Sequence, residues 1–307
     1  MKVTNFSQIE EAARKIHGRV VVPMANNEEA QSAVKMALED GMLEGGILIG
    51  DRDKIGEVAG TTGLDLGRFQ ILHIPDQAEA AREAVKMMAQ NKGDFLLKGI
   101  IDTKYYLKAV LDKEFKMVEE GNLLSHVALM EVPGYHKLVG ITDVAISIYP
   151  GVEEKKKMIN NIVSVFHKLG IEKPKVAMIC PVEKVNEKIE STMHAKAMVD
   201  YFKGSDKCVV EGPYDTYIAL SRHAAEEKGV KGEVCGDADI LVFPNLDSAN
   251  PVYKIMNQFI ANIRSAAIVA GAKIPVILPS RADSALTKKL SIALSSYLAQ
   301  ASAVKAV

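Results

Sequence analysis

The stretch Ile274 to Ser284, IPVILPSRADS, decides the fold class of this 307-residue chain. Val276 to Leu278 reads as a buried strand, because a short apolar run bounded by Pro and Ser is a buried-strand signal. A tight turn holding Ser280 and Arg281 follows, and a helix starts at Asp283 or Ser284. A strand that ends in a serine and an arginine just before a helix N-terminus aims hydroxyl, guanidinium and backbone N–H donors at one spot. Such a spot suits an anion.

Outward from this stretch, the same strand-to-helix order recurs. Arg19–Met24 reads as a strand, followed by Ala25-Asn26-Asn27 and a helix over Glu28–Glu39. Gly46–Gly50 and Phe69–Ile74 read as strands with a short helix around Ile55–Ala59 between them. Asp76 is placed to cap a helix whose Ala81, Ala84, Val85 and Met88 recur at helical spacing. Phe95–Leu97 is a short strand ending in Lys98-Gly99, and Asp102-Thr103 opens the next helix. Strands alternating with helices predict a parallel sheet covered on both faces.

The rhythm breaks at about Leu124. Two strand-like runs flank Pro133-Gly134 with no room for a helix, which predicts an antiparallel pair. A helix over Glu153–Leu169 follows, and alternation resumes. Strands are expected at Val176–Cys180, Cys208–Val210, Ile240–Phe243 and Val276–Leu278. Helices are expected at Thr192–Phe202, Ile218–Glu227, Tyr253–Ile263 and Ala285–Ala299. This predicts two doubly wound α/β domains with a cleft between them. Residues 1–124 with about 285–307 would form the first, and about 125–284 the second. In such sheets ligands sit beyond the carboxyl ends of the strands.

Composition excludes several classes of partner. With 38 basic and 39 acidic residues the formal charge is -1, which argues against nucleic acid or an anionic membrane. No apolar run reaches roughly 18 residues, so no membrane span is expected. The N-terminal MKVTNFSQIEEAARK is charged where a signal peptide is apolar. Cys180, Cys208 and Cys235 suit neither a disulfide framework nor a zinc site, and a cytoplasmic location is expected. The seven histidines form no ligand set, so no metal is assigned. GTTGLDLG at 60–67 follows a helix with the wrong glycine intervals for a dinucleotide loop, and no Walker sequence is present.

Three segments place polar groups at strand ends: Lys98-Gly99, Asn245 with Asn250, and Ser280-Arg281. Each has a plain structural reading beside a functional one. Lys98 can snorkel to solvent, Arg281 can serve a salt bridge, and Ser280 can be a helix cap. Thr142-Asp143 ends another strand, where Asp is also a common turn residue. Cys180, with no His beside it in sequence, reads as a buried inert thiol, and His126 and His136 as structural residues.

Several words of the sequence stand in a telling order: LLKGIIDT ending at Thr103, SHVAL (125–129), ITDVA (141–145), PKVAM (174–178), EKVN (183–186), EGP (211–213), GDADILVFP (236–244), NPVYK (250–254) and GAKIPVILPSRADS (271–284). By these the chain resembles the phosphate acetyl/butyryltransferase family, and within it the phosphate butyryltransferase branch, over nearly its whole length.

The resemblance implies a two-domain fold like that of isocitrate and isopropylmalate dehydrogenases, an active site in the interdomain cleft, and a homodimer formed through the second domain. It implies the reversible reaction acyl-CoA plus phosphate giving acyl phosphate plus CoA. Coenzyme A is then a substrate, and no cofactor or metal is used. Ser280 and Arg281 match the family's active-site pair. Thr287 stands about where the acetyltransferase branch has an acidic residue proposed as base, which leaves Asp283 as the substitute. Lys98, Gly99, Thr103, Thr142, Asp143 and Asn250 are the expected phosphate and CoA contacts. Further departures are Ala249, Tyr217 and Ser147, where the branch usually has Gly, Asp and Asn. Acyl preference among acetyl, butyryl and branched groups is left open. Three rivals stay beside this reading: an acyl-carrier-protein:phosphate acyltransferase, an NAD-dependent decarboxylating dehydrogenase, and a non-catalytic CoA- or acyl-phosphate-binding homologue.

Overall fold

A computed structural model describes residues 2–280 and 283–304. In chain order, α1 spans Phe6–Ile16, β1 Gly18–Pro23, α2 Glu28–Glu39, β2 Leu43–Gly50, α3 Arg52–Thr62, β3 Phe69–His73, α4 Gln77–Ala89, β4 Phe95–Leu97 and α5 Thr103–Val110. Then come β5 Ser125–Glu131, β6 Leu138–Thr142, α6 Val152–Lys168, β7 Lys175–Ile179, α7 Glu190–Phe202, β8 Val209–Tyr214, α8 Thr216–Leu220 and α9 Arg222–Glu227. The chain continues through β9 Ile240–Val242, α10 Leu246–Phe259, β10 Arg264–Ala270, β11 Val276–Ile277 and α11 Ala285–Val304.

The chain divides into two compact units. One comprises Phe6–Asn122 and Ala266–Val307, the other Met1–Asn5 and Leu123–Ser265. The expected assignment of 266–284 to the second domain therefore differs from the structure. The reason is strand pairing: β11 lies parallel to β4, with Val276 opposite Leu96 and Ile277 opposite Leu97. The Tyr106 hydroxyl, buried, also donates to the Ile277 carbonyl at 3.2 Å.

In the first unit the strands run in the order β3-β2-β1-β4-β11-β10. All neighbours from β3 to β11 are parallel, and β10 is antiparallel to β11. Helices α1, α2, α3 and α11 pack together, and α4 packs with α5. Apolar groups cover both sides of the sheet, so β1 reads as the uninterrupted run Val20-Val21-Val22 rather than an alternating pattern. Helices α4 and α5 begin at the expected signals: Asp76 accepts the Glu79 N–H at 2.9 Å and Asp102 the Lys104 N–H at 2.8 Å.

The second unit has the order β5-β6-β9-β7-β8. The expected antiparallel pair is β5 with β6, and the other neighbours are parallel. Ala128, Met130, Val139, Ile141, Ala177 and Leu241 join a core beneath Tyr214, Ile218 and Tyr253. On the opposite face Gly140 lies under Phe166 of α6, where an added Cβ would stand 2.7 Å from the ring. Alternate residues thus face separate layers of helices.

Two expected elements differ, and two further elements are unexpected. The segment read as one helix over Ile218–Glu227 is two, α8 and α9, because Ser221 breaks it and accepts the Ala224 N–H at 3.2 Å. Helix α10 starts at Leu246, before Pro251, not at Tyr253; Asn245 caps it by accepting the Ser248 N–H at 3.1 Å. Strand β10 and helix α1 were not expected. The alanines of RSAAIVA carry little strand preference, and α1 hides Phe6, Ile9 and Ala13 among charged residues. Among the described residues no helix is long and apolar enough to cross a membrane.

Candidate active site

In the first unit, the carboxyl ends of β1, β4 and β11 lie side by side, and backbone bonds stitch the segments that leave them. Lys98 N–H donates to the Ile277 carbonyl at 3.1 Å, Gly99 N–H to Pro23 at 3.2 Å and Ile100 N–H to Met24 at 2.9 Å. A Cβ on Gly99 would lie 2.1 Å from the Met24 carbonyl oxygen, so only glycine lets the two chains approach this closely. Lys98 is half-buried, and Thr103 is the exposed first residue of α5.

Leaving β11, the chain turns at Ser280, which is exposed. The Asp283 carboxylate accepts the Ser280 N–H at 2.7 Å, and the Ser280 carbonyl accepts the Asp283 N–H at 3.1 Å. Ser284 caps α11, its Oγ accepting the Thr287 N–H at 3.0 Å. The cap reading therefore passes from Ser280 to Ser284, and the Ser280 hydroxyl is left outside the helix. Arg281 lies outside the described residues. The structure brings Lys98, Gly99, Thr103, Ser280 and Asp283 to one edge of one sheet.

Sequence reasoning gave no role to Asn26 and Asn27, which leave β1 on this same edge. Their Oδ1 atoms are buried without a hydrogen-bond partner. Buried polar atoms are nearly always satisfied, so two orphaned carboxamide oxygens here call for an explanation. The available signal was a pair of Asn directly after an apolar strand.

In the second unit, Thr142 ends β6. Its Oγ1 donates to the His126 carbonyl at 3.1 Å, and the residue is fully buried. The Asp143 carboxylate accepts three backbone N–H groups, from His126 at 2.9 Å, Ala145 at 2.8 Å and Ile146 at 2.7 Å. Asn250 Nδ2 donates to the Val144 carbonyl at 2.8 Å. These three residues come together around the loop that follows β6, and the polar atoms named here shape that loop. Cys180, at the end of β7, is buried, and burial raises its thiol above the usual range. Among the described residues no three His, Cys, Asp or Glu side chains gather in a way that could hold a metal.

The Phosphate acetyl/butaryl transferase family matches residues 76–295. This chain belongs to that family. It is an enzyme of the type that transfers acyl groups between coenzyme A and phosphate. The chain is 41% identical to the phosphate butyryltransferase of Clostridium beijerinckii over 299 residues, covering 96% of each protein. It is also 41% identical to the phosphate butyryltransferase of Clostridium acetobutylicum, over 92% of this chain and 93% of that one. Its fold superposes on a branched-chain phosphotransacylase from Enterococcus faecalis with a TM-score of 0.82 and 30% identity, covering 92% of this chain and 99% of that one. The family resemblance carried by the sequence words is thereby confirmed.

Proposed function

We propose that this enzyme moves a short acyl group, butyryl or a branched group of similar size, between coenzyme A and inorganic phosphate by direct transfer in a ternary complex. The observation that carries the reading is the Ser280 turn. It follows a buried strand and precedes α11, whose N-terminus is capped by Ser284. The acyl range rests on relatives that are phosphate butyryltransferases and a branched-chain phosphotransacylase.

In this reading Arg281, with Lys98, holds the phosphate, because a guanidinium presents two parallel donors to two oxygens. A phosphate oxygen attacks the thioester carbonyl, the C–O bond forms, and the C–S bond breaks. Ser280 and nearby N–H groups stabilise the oxyanion. Coenzyme A leaves as a thiolate, which needs little protonation help. Gly99 and Thr103 shape the phosphate side. Asp283 holds the Ser280 turn through its carboxylate. Asn250 and Asp143 set the loop after β6 against the other substrate, with Thr142 anchoring it. Catalysis is then mainly positioning and electrostatics.

The proposal includes an interdomain cleft of the isocitrate/isopropylmalate dehydrogenase kind in which both sets of residues act, a homodimer, and a cytoplasmic location. An exposed apolar face on the second unit supports the dimer: Ile255 and Phe259, one turn apart on α10, are 56% and 79% exposed. The test of the function is thiol release from butyryl-, isobutyryl- and acetyl-CoA with and without phosphate. Release that needs phosphate is expected; release at the same rate without it would identify a thioesterase and end this reading.

A further inference from the structure

The loop after β6 is held at several points. Asp143 takes three backbone N–H groups, Asn250 holds Val144, and Leu246 N–H donates to Ile148 at 2.9 Å. Near its end, at Pro150, it is held by a charge: Lys155 Nζ donates to the Pro150 carbonyl. Lys155 is a full lysine side chain only 2% exposed. It sits in the first turn of α6, where the helix dipole disfavours a cation.

Among the described residues no carboxylate neutralises Lys155 at contact distance. Its second acceptor is the ring nitrogen His194 Nδ1 on α7, at 3.2 Å. An ammonium at Nδ1 requires a neutral imidazole with its proton on Nε2, which faces Glu190 Oε1 at 3.7 Å. The charged and titratable groups around the pair are Glu154 on α6, Glu190 on α7 and Cys180 at the end of β7. Glu154 is engaged with the Gly151 N–H at 2.8 Å. Burial draws the Lys155 ammonium down to about 8, against the pull of Glu190, Glu154 and Cys180. Burial and the Lys155 charge lower His194 as well, with Glu190 opposing.

A buried cation placed against a helix dipole is costly, so it is retained for something other than stability. We infer that Lys155 is a positioning residue for acyl transfer, and that Lys155 with His194 forms a proton-linked latch on the loop Asp143–Gly151. The inference rests on the reading that this loop borders the substrates. When His194 takes a proton, two cations face each other across the 3.2 Å contact. Lys155 then loses its Nδ1 acceptor, and its hold on Pro150 weakens. The latch is closed when His194 is neutral and opens as the pH falls through the His194 value, below the ordinary imidazole range of about 6.5.

The test uses the full chain and follows kcat and KM for butyryl-CoA and phosphate from about pH 5 to about pH 8, together with melting temperature. Lys155→Met, which keeps the volume and removes the charge, is expected to lower kcat about tenfold, the scale of a positioning defect. It should melt no lower than the parent, because a strained buried charge is gone. His194→Asn offers Lys155 an acceptor that does not titrate. It should keep most of the neutral-pH turnover and lose the acid limb of kcat/KM that the parent shows below about pH 6.5. Parent kcat in Lys155→Met, or an acid limb in His194→Asn that superimposes on the parent's, overturns the latch. If Lys155→Met fails to fold, the His194→Asn profile decides. Asn250→Ala, which releases the same loop at Val144, separates the latch from the site reading. Unchanged kcat in that variant overturns both; a drop there with parent behaviour in the other two overturns the latch alone.

Discussion

The Asp283 carboxylate accepts the backbone N–H of Ser280 at 2.7 Å, closing the turn that leads from β11 toward α11. A carboxylate in that contact shapes the turn, and an amide oxygen can replace it. Asp283→Asn is therefore expected to cost less than about tenfold in turnover and Asp283→Ala clearly more, whereas loss of a general base would cost about 10²–10⁴ in either variant. Steady-state kinetics of both variants side by side distinguish the two roles.

Arg281 is expected to carry the phosphate. Its replacement by Ala should lower turnover by about 10²–10³, the scale of losing one preorganised electrostatic donor. Arg281→Lys should restore part of this, since an ammonium cannot present two parallel donors. Circular dichroism should show both variants folded. A folded Arg281→Ala with parent turnover would place the phosphate elsewhere.

Gly99 is a steric requirement. The Met24 carbonyl that a Cβ would meet at 2.1 Å is backbone and cannot rotate aside. Gly99→Ala should destabilise the fold by ~1–3 kcal/mol, as overpacking does, and should lower activity by displacing Lys98. Urea denaturation gives the first quantity. A variant as stable as the parent would mean that the β1–β4 junction is slack.

Asp237 sits at the amino-terminal edge of the second unit's sheet, away from the loop after β6. Lys175 contacts it at 2.6 Å, Lys137 at 2.9 Å and His136 at 2.8 Å. Partial burial pushes its carboxyl up, but hydrogen bonds from Lys175, Lys137 and His136 outweigh this and hold it well below the ordinary carboxylate range. A depressed folded value means that the unfolded chain binds the proton first. The stabilisation is full above about pH 4 and is lost as pH falls below that toward the folded value. Melting temperature should drop on acidification below about pH 4, and Asp237→Asn should flatten that slope. At neutral pH Asp237→Asn should cost ~1–3 kcal/mol, because Lys137 loses one of its two carboxylates. An unchanged acid slope would show that the cluster contributes nothing to acid sensitivity.

Much of the fold was legible because apolar runs and turn residues act locally. Val20–Val22, Phe95–Leu97 and Val176–Met178 are strands because a sheet buried on both faces demands continuous apolar residues. Asp76 and Asp102 cap helices because their carboxylates reach the N–H groups two or three residues on. Where the reading missed, packing had overruled local preference. The alanine-rich β10 is a strand because the sheet supplies partners, Val276 of β11 opposite Val269 among them, and Pro251 lies inside α10, whose start Asn245 caps.

By itself the sequence determined the α/β class, the family and the reaction, and it singled out Ser280, Lys98 and Asp143, since each of these follows from residue types in a fixed order along the chain. Only the tertiary structure decided what their atoms do. It put Asp283 on the Ser280 N–H, Ser284 at the head of α11, Asp143 on three backbone donors, and 266–284 with the first unit. It also brought Lys155 against His194, 39 residues away along the chain. A hydrogen bond is satisfied by whichever donor lies within about 3 Å, and that distance is set by how separate elements pack, not by spacing in the chain.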